Sequence, residues 1–216
     1  MDSTKTIYHD SWLDRQFIGL FSRKMAQAAG VTTPLSGYAG FVALSMELAR
    51  GRTAQEQRSL VGLVLRSLVP APITWAIRTG FPPTRWVCEA NAWFASKLFV
   101  WLIGPCDWVE AEITTATGAT HVQRSGVHIQ KCRYLEEAGC VGTCINLCKL
   151  PTQTFFTEDF GIPFTMKPNF EDLSCEMIFG QIPPALETED IYTQPCLADR
   201  CSLSDAKAPA CPKIDC

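Results

Sequence analysis

A break at Gly104 and Pro105 divides the 216-residue chain into two parts whose apolar residues follow different periods. Before it, large apolar side chains recur three and four residues apart, the spacing that gathers them on one face of an α-helix. Ser11 with Asp14 forms a capping-box start, and Leu13, Phe17, Leu20 and Phe21 then share a face until Gly30 closes the first helix. A second helix is expected over Gly37 to Arg50, carrying Phe41, Leu44, Met46 and Leu48. Thr53 with Glu56 opens a third, striped by Leu60, Val61, Val64, Leu65 and Leu68. Pro70 and Pro72 end it, because proline lacks the amide N–H that a helix interior needs. Pro82 and Pro83 lead into a strongly apolar helix through Trp86, Trp93, Phe94, Phe99 and Trp101.

Beyond the break the period becomes two. Trp108 to Ile113 and Val122 to Ile129 both alternate around the turn-forming run TTATGAT, which predicts a β-hairpin. From Lys131 the pattern is one of short helices and loops, with a further strand at Cys175 to Phe179 and a Pro/Cys-rich tail from Pro183. The expected fold is therefore α+β and predominantly helical. An N-terminal helical bundle (1–105) precedes a hairpin and a Cys-rich region (106–216), the two parts forming one compact unit.

Composition removes several function classes. The formal net charge is only -3, with Lys and Arg scattered rather than clustered, so a nucleic-acid partner is not expected. The longest apolar stretches, Leu60 to Ile77 and Ala92 to Ile103, are broken by Arg66, Pro70, Pro72 and Lys97 and fall short of the ~20 residues that a transmembrane helix requires. The N-terminal MDSTKTIYHD reads as neither a secretory nor a transit peptide.

Cysteine carries the strongest chemical signal. Of eleven, nine lie between Cys132 and Cys216, a density that means disulfides in an oxidising compartment and metal or redox chemistry in a reducing one. Cys140, Cys144 and Cys148 recur every four residues, so an α-helix would align them with ~40° of drift per step. The outer pair would then lie ~12 Å apart by rise alone, too far for one ion. Either the glycines at 139 and 142 let the segment wrap as a loop, or a helix supplies two sulfurs while Cys175, Cys196 or Cys201 completes the site. A buried stripe of structural thiols is the alternative. His128 and Cys132, four residues apart, read as further ligands facing the metal, with a hairpin-end histidine bonded to backbone as the alternative for His128. Asp172 and Glu176 read as proton donors, groups supporting a ligand, or solvated caps, and Arg133 with Glu136 as a surface ion pair. Cys88 and Cys106 read as core thiols, and Cys211 and Cys216 as tail residues with no catalytic part.

The segments CRYLEEAGCVG, NLCKLPTQ, MKPNFEDLSCEM and QPCLADRC occur in this order over residues 126 to 205, with YHDSWLDRQFI near the start. This pattern resembles the signature of the plastid β-carotene isomerase family named Dwarf Twenty-seven. The resemblance implies an iron-containing plastid enzyme that reversibly converts all-trans-β-carotene to the 9-cis isomer, feeding strigolactone synthesis. It implies iron as the metal, as non-haem iron or an iron–sulfur cluster, for which spacing and cysteine density make Cys140, Cys144, Cys148 and Cys175 the expected ligands. A substrate without a polar handle must be held by apolar area, which makes Trp93, Phe94 and Trp101 the expected lining, or a face that skims a membrane. Peripheral membrane contact without a span follows from where carotene resides. A non-catalytic iron–sulfur or zinc protein, a disulfide-stapled module, and a paralogous isomerase with another carotenoid or bond share these features, and a bacterial cytoplasm is the alternative compartment.

Overall fold

The computed structural model describes residues 6–115, 118–189 and 194. Six helices come first: α1 (Trp12–Ala29), α2 (Gly37–Ala49), α3 (Ala54–Leu68), α4 (Ala71–Gly80), α5 (Arg85–Leu98) and α6 (Val100–Ile103). Both expected capping boxes form. The Ser11 amide donates to Asp14 Oδ2 at 2.8 Å and the Asp14 amide to Ser11 Oγ at 3.2 Å, and Thr53 and Glu56 repeat the exchange. Each box satisfies two of the amides that a helix N-terminus leaves without partners.

The stripe of α1 is centred on buried Ile18 and Met25, with Phe17 and Phe21 beside them, while Leu13 lies exposed. These side chains meet Trp101, which is buried, stacks on Phe17 at 6.3 Å between ring centroids, and meets Phe21 tilted at 4.9 Å and Phe41 edge-on at 5.7 Å. The connection before α2 folds tightly onto its first turn because residue 40 is glycine: a Cβ there would fall 2.5 Å from the Leu35 carbonyl oxygen. The proline pair at 70 and 72 does end α3, as expected, yet it opens α4 rather than a loop, with Pro72 in the first turn where a missing amide costs nothing. The single long helix expected after Pro83 is split at Phe99 into α5 and α6.

The hairpin forms as β1 (Cys106–Thr114) and β2 (Thr120–Ile129), antiparallel, with a register shift between Val109 and Ala111. Strand β4 (Cys175–Phe179) matches the expected bounds and pairs with β2, and β3 (Phe164–Pro168), which sequence reading missed, closes the sheet on its far side. The order is β1-β2-β4-β3, antiparallel throughout. Helix α5 covers the sheet.

The region expected to be short helices and loops begins with α7 (Arg133–Ala138). It then becomes one continuous helical run: α8 (Val141–Thr143), a π-helical stretch (Cys144–Lys149), α9 (Leu150–Thr154) and a second π-helical stretch (Phe155–Asp159). This run packs on α3 from one side and on β3 from the other, and one hydrophobic core extends across both halves of the chain. Arg133 and Glu136, expected as an exposed pair, are both buried. Arg133 pairs with Asp10, and Glu136 with Lys131, Thr6 and Tyr8. No single helix is long and apolar enough to cross a membrane among the described residues.

Candidate functional site

Cysteines from three parts of the chain turn their sulfurs into one region of the core. Cys132 caps the start of α7, Cys144 and Cys148 lie on the first π-helical stretch, and Cys175 is the first residue of β4. Cys132, Cys144 and Cys175 are buried and Cys148 partly so. A π turn hydrogen-bonds to the fifth residue rather than the fourth, so it is wider than an α turn and is found mostly at functional positions. Here it spans the segment from Cys144 to Lys149, which includes both cysteines.

The NFEDLS turn fixes Cys175 against Cys132. The Asn169 amide donates to the Ser174 carbonyl at 2.8 Å, Asn169 Oδ1 accepts from the Glu171 amide, and Asp172 Oδ1 accepts from the Ser174 amide. These bonds hold Leu173 at φ 66, the one described non-glycine residue at positive φ, a conformation that strains a bulky L-residue. In return the Leu173 carbonyl accepts from the Cys132 amide at 2.7 Å, tying the two cysteine-bearing segments together. Asp172 therefore serves the turn. Glu176 is exposed and lies opposite His128 across the β2–β4 pairing, whereas their neighbours Cys175 and Ile129 point into the core. His128 is thus directed away from the thiols.

Burial is the main influence on these sulfurs and raises all of them. The Cys144 and Cys175 thiols are pushed well above the usual range, and Cys148 to about 12. Next come their mutual charges: Cys132, Cys148 and Cys175 raise Cys144, and Cys132 and Cys148 raise Cys175. The Lys149 ammonium acts in the opposite direction on Cys144 and Cys175. Tyr134, buried and hydrogen-bonded to Ser45, is raised by burial and then by Cys148, Cys144 and Cys140. Cys140 itself is buried just before α8. The thiols are therefore protonated at neutral pH, the state of buried structural cysteine and of a metal site before its ligands lose their protons.

Among the described residues no disulfide is formed, and no three His, Cys, Asp or Glu side chains converge closely enough to hold a metal ion. The donors suit iron in kind, being soft sulfur ligands, largely buried and close enough to sense one another electrostatically. Cys196 and Cys201 lie outside the described residues.

Three cavities adjoin the π-containing run. One of about 770 Å³ is lined by Ile145, Lys149, Met166, Phe170 and Glu189, and one of about 460 Å³ by Arg58, Arg66, Gln153, Phe155 and Glu158. Their charged walls do not suit a hydrocarbon. The third, about 70 Å³, is apolar and reaches a sulfur: Phe21, Met25, Phe41, Val64, Leu147 and Cys148 line it beneath α1 and α3.

The residues 101–188 match the family model described as Beta-carotene isomerase D27-like, C-terminal. Along 190 residues, 88% of this chain and 73% of the relative, the sequence is 39% identical to the Medicago truncatula protein named Beta-carotene isomerase D27, chloroplastic. The Arabidopsis thaliana protein of the same name is 34% identical over 87% of this chain and 70% of its own length. The chain belongs to the beta-carotene isomerase D27-like family. No solved structure matches it.

With family membership established, the expected site residues can be placed. Of the sulfurs expected as ligands, Cys144, Cys148 and Cys175 sense one another electrostatically without three of them converging on one point, and Cys140 stands at the entry to the same helical run. Cys132, read in the sequence with His128 as a further ligand, interacts electrostatically with them, whereas His128 is directed away. Trp93, Phe94 and Trp101, expected as one lining, are separated: Trp101 is core, while Trp93 and Phe94 face outward. Sequence reasoning missed Tyr134 and Lys149. The signal for both was present in CRYLEE and NLCKLP, where an aromatic and a cation sit next to the cysteine positions.

Proposed function

We propose that this family member, an isomerase, acts on a carotenoid, interconverting all-trans-β-carotene and its 9-cis isomer in the plastid as an early step toward strigolactones, with iron held by sulfurs drawn from Cys132, Cys140, Cys144, Cys148 and Cys175. The observation that carries the reading is that the family match spans residues 101–188, the segment that contains every one of these cysteines. The substrate and the plastid address follow the names of the two relatives, and the 9-cis product follows the resemblance of the signature alone.

Turning a polyene double bond requires its bond order to fall. Iron, when bound to these thiolates, supplies the one-electron exchange that does so. The residues of the chain do the rest. Phe21, Met25, Phe41, Val64 and Leu147 give the reacting stretch of polyene an apolar wall beside Cys148 and exclude water from it. The recess, of about 70 Å³, holds only a short part of the polyene. Lys149 offsets part of the negative charge that gathers when several thiols ionise around a metal. Buried Tyr134 fixes the far side through Ser45.

The test is product analysis by chromatography with all-trans-β-carotene, 9-cis-β-carotene and lutein, together with metal quantification. Conversion between the two β-carotene isomers, with iron and turnover lost together in Cys144→Ser, supports the reading. Full turnover from an iron-free preparation removes the metal from it, and preferential turnover of lutein moves the chain to a different substrate.

A further inference from the structure

Helix α5 distributes its side chains by size rather than by polarity. Its buried face carries the small residues Cys88, Ala92, Ala95 and Ser96, which let it lie close on the sheet. Its opposite face carries Trp86, Ala90, Trp93, Phe94 and Lys97 at helical spacing, and Trp86 is 78% exposed, Trp93 50% and Phe94 52%. Helix α4, immediately before it, buries no residue, and leaves Ile73 50% and Trp75 69% exposed. Phe81, in the link between the two, is 58% exposed. Isolated exposed apolar residues are ordinary, but six large ones within residues 73–94, three of them tryptophan, mark a surface that meets something other than water.

Charge indicates what that is. Residues 63–104 carry a net charge of +3 (Arg66, Arg78, Arg85 and Lys97 against Glu89), in a chain whose formal net charge is -3. Arg66 is paired with Asp159 and Arg85 with Glu89. Arg78 donates only to the Glu158 carbonyl, and neither it nor Lys97 has a carboxylate partner among the described residues. A lysine inside an aromatic stripe disfavours a protein partner, since lysine is depleted from protein interfaces. Tryptophan rings interleaved with cations suit the boundary between acyl chains and headgroups, where the ring is apolar on one side and wet on the other.

We propose that α4, the link through Phe81 and the outward stripe of α5 seat this chain on a bilayer surface rich in anionic lipid, with Trp75, Phe81, Trp86, Trp93 and Phe94 entering the headgroup boundary and Arg78 and Lys97 meeting lipid phosphates. The contact is peripheral, since no described helix spans a bilayer alone. It does not depend on which carotenoid is turned over.

The experiment is co-sedimentation of the full chain with vesicles of equal parts phosphatidylglycerol and phosphatidylcholine, against vesicles of phosphatidylcholine alone, with tryptophan quenching by brominated acyl chains as a second readout. Binding to the anionic vesicles that weakens with salt, with quenching, is the expected result. The variant Trp86→Glu/Trp93→Glu/Phe94→Glu should lose about tenfold in partitioning. Arg78→Glu/Lys97→Glu, which leaves the aromatic face untouched, should lose binding to anionic vesicles selectively, and decides the matter if the triple variant fails to fold by circular dichroism. Equal sedimentation with both vesicle types, or unchanged binding by the folded variants, overturns the proposal. So does self-association through this face, seen by ultracentrifugation without vesicle binding.

Discussion

Arg133 holds Asp10 across 123 residues of chain: one terminal nitrogen reaches Oδ1 at 2.5 Å and the other reaches Oδ2 at 3.1 Å. The guanidinium also lies 3.6 Å from the Tyr38 ring centroid and 4.8 Å from that of Tyr8. The N-terminal YHDSWLDRQFI and the CRYLEE run are thus two halves of one contact. A buried cation that loses its partner keeps its desolvation cost. Asp10→Ala should lower unfolding stability by roughly 3 kcal/mol in urea titration. A change below about 0.5 kcal/mol would show the pair to be as weak as an exposed one.

Glu136 gives the same contact a pH dependence. Burial alone would raise its carboxyl, but the Lys131 ammonium, the Thr6 amide and the Tyr8 and Thr6 hydroxyls outweigh burial and hold it below the usual 4.5. A lowered folded-state value means that the unfolded chain takes up the proton first. The stabilisation is therefore complete above about pH 5 and is lost as pH falls through 4.5 toward the folded value. Thermal melts of Glu136→Gln should start lower at pH 7 and change less between pH 6 and pH 4 than those of the parent, by about the width of that carboxyl titration.

The buried thiols should resist alkylation in the metal-free protein. With Cys148 at about 12 and Cys144 and Cys175 higher than usual, the thiolate fraction at neutral pH is negligible. Mass spectrometry after iodoacetamide treatment should show labelling of Cys148 still climbing with pH beyond 9, without the plateau of an ordinary thiol. A plateau near 9 would contradict the burial described.

Filling the recess beside Cys148 separates binding of metal from binding of polyene. Val64→Phe places a ring among Phe21, Met25 and Leu147. It should lower isomerisation by about tenfold or more at a stability cost within the 1–3 kcal/mol of overpacking, with bound iron unchanged. Unchanged turnover would place the substrate elsewhere.

Gly40→Ala should be among the most damaging single-methyl additions. Its Cβ would fall 2.5 Å from the Leu35 carbonyl oxygen, where the obstacle is backbone and cannot rotate aside. A loss of roughly 2–3 kcal/mol is expected in equilibrium unfolding.

Local rules made much of this fold legible. Capping boxes at Ser11 and Thr53, the stripe of α3 and the hairpin of β1 and β2 all depend on neighbours a few residues apart, and each formed. The α4 helix was missed because Pro72 was read only as a terminator, though proline also suits a first turn. The grouping of the thiols was only half visible. Cys144 and Cys148 follow from spacing and Cys175 and Cys132 from residue type, but the tie between the last two runs through the turn at Leu173, whose backbone conformation no leucine advertises. The buried pair Arg133 and Asp10 was hidden for a similar reason: a charge pattern names a partner three residues away more readily than one beyond a hundred.

The π-helical stretch Cys144–Lys149 sets a rotational phase. Each residue advances an α-helix by about 100°, so trimming one residue there to restore ordinary winding would swing everything downstream by that angle. Gln153 would leave the Met166 amide, which it meets at 2.8 Å, and the second wide turn would lose its seat under α3. The length of this segment is therefore as binding a constraint as its composition, and a one-residue deletion is harsher than any single substitution within it.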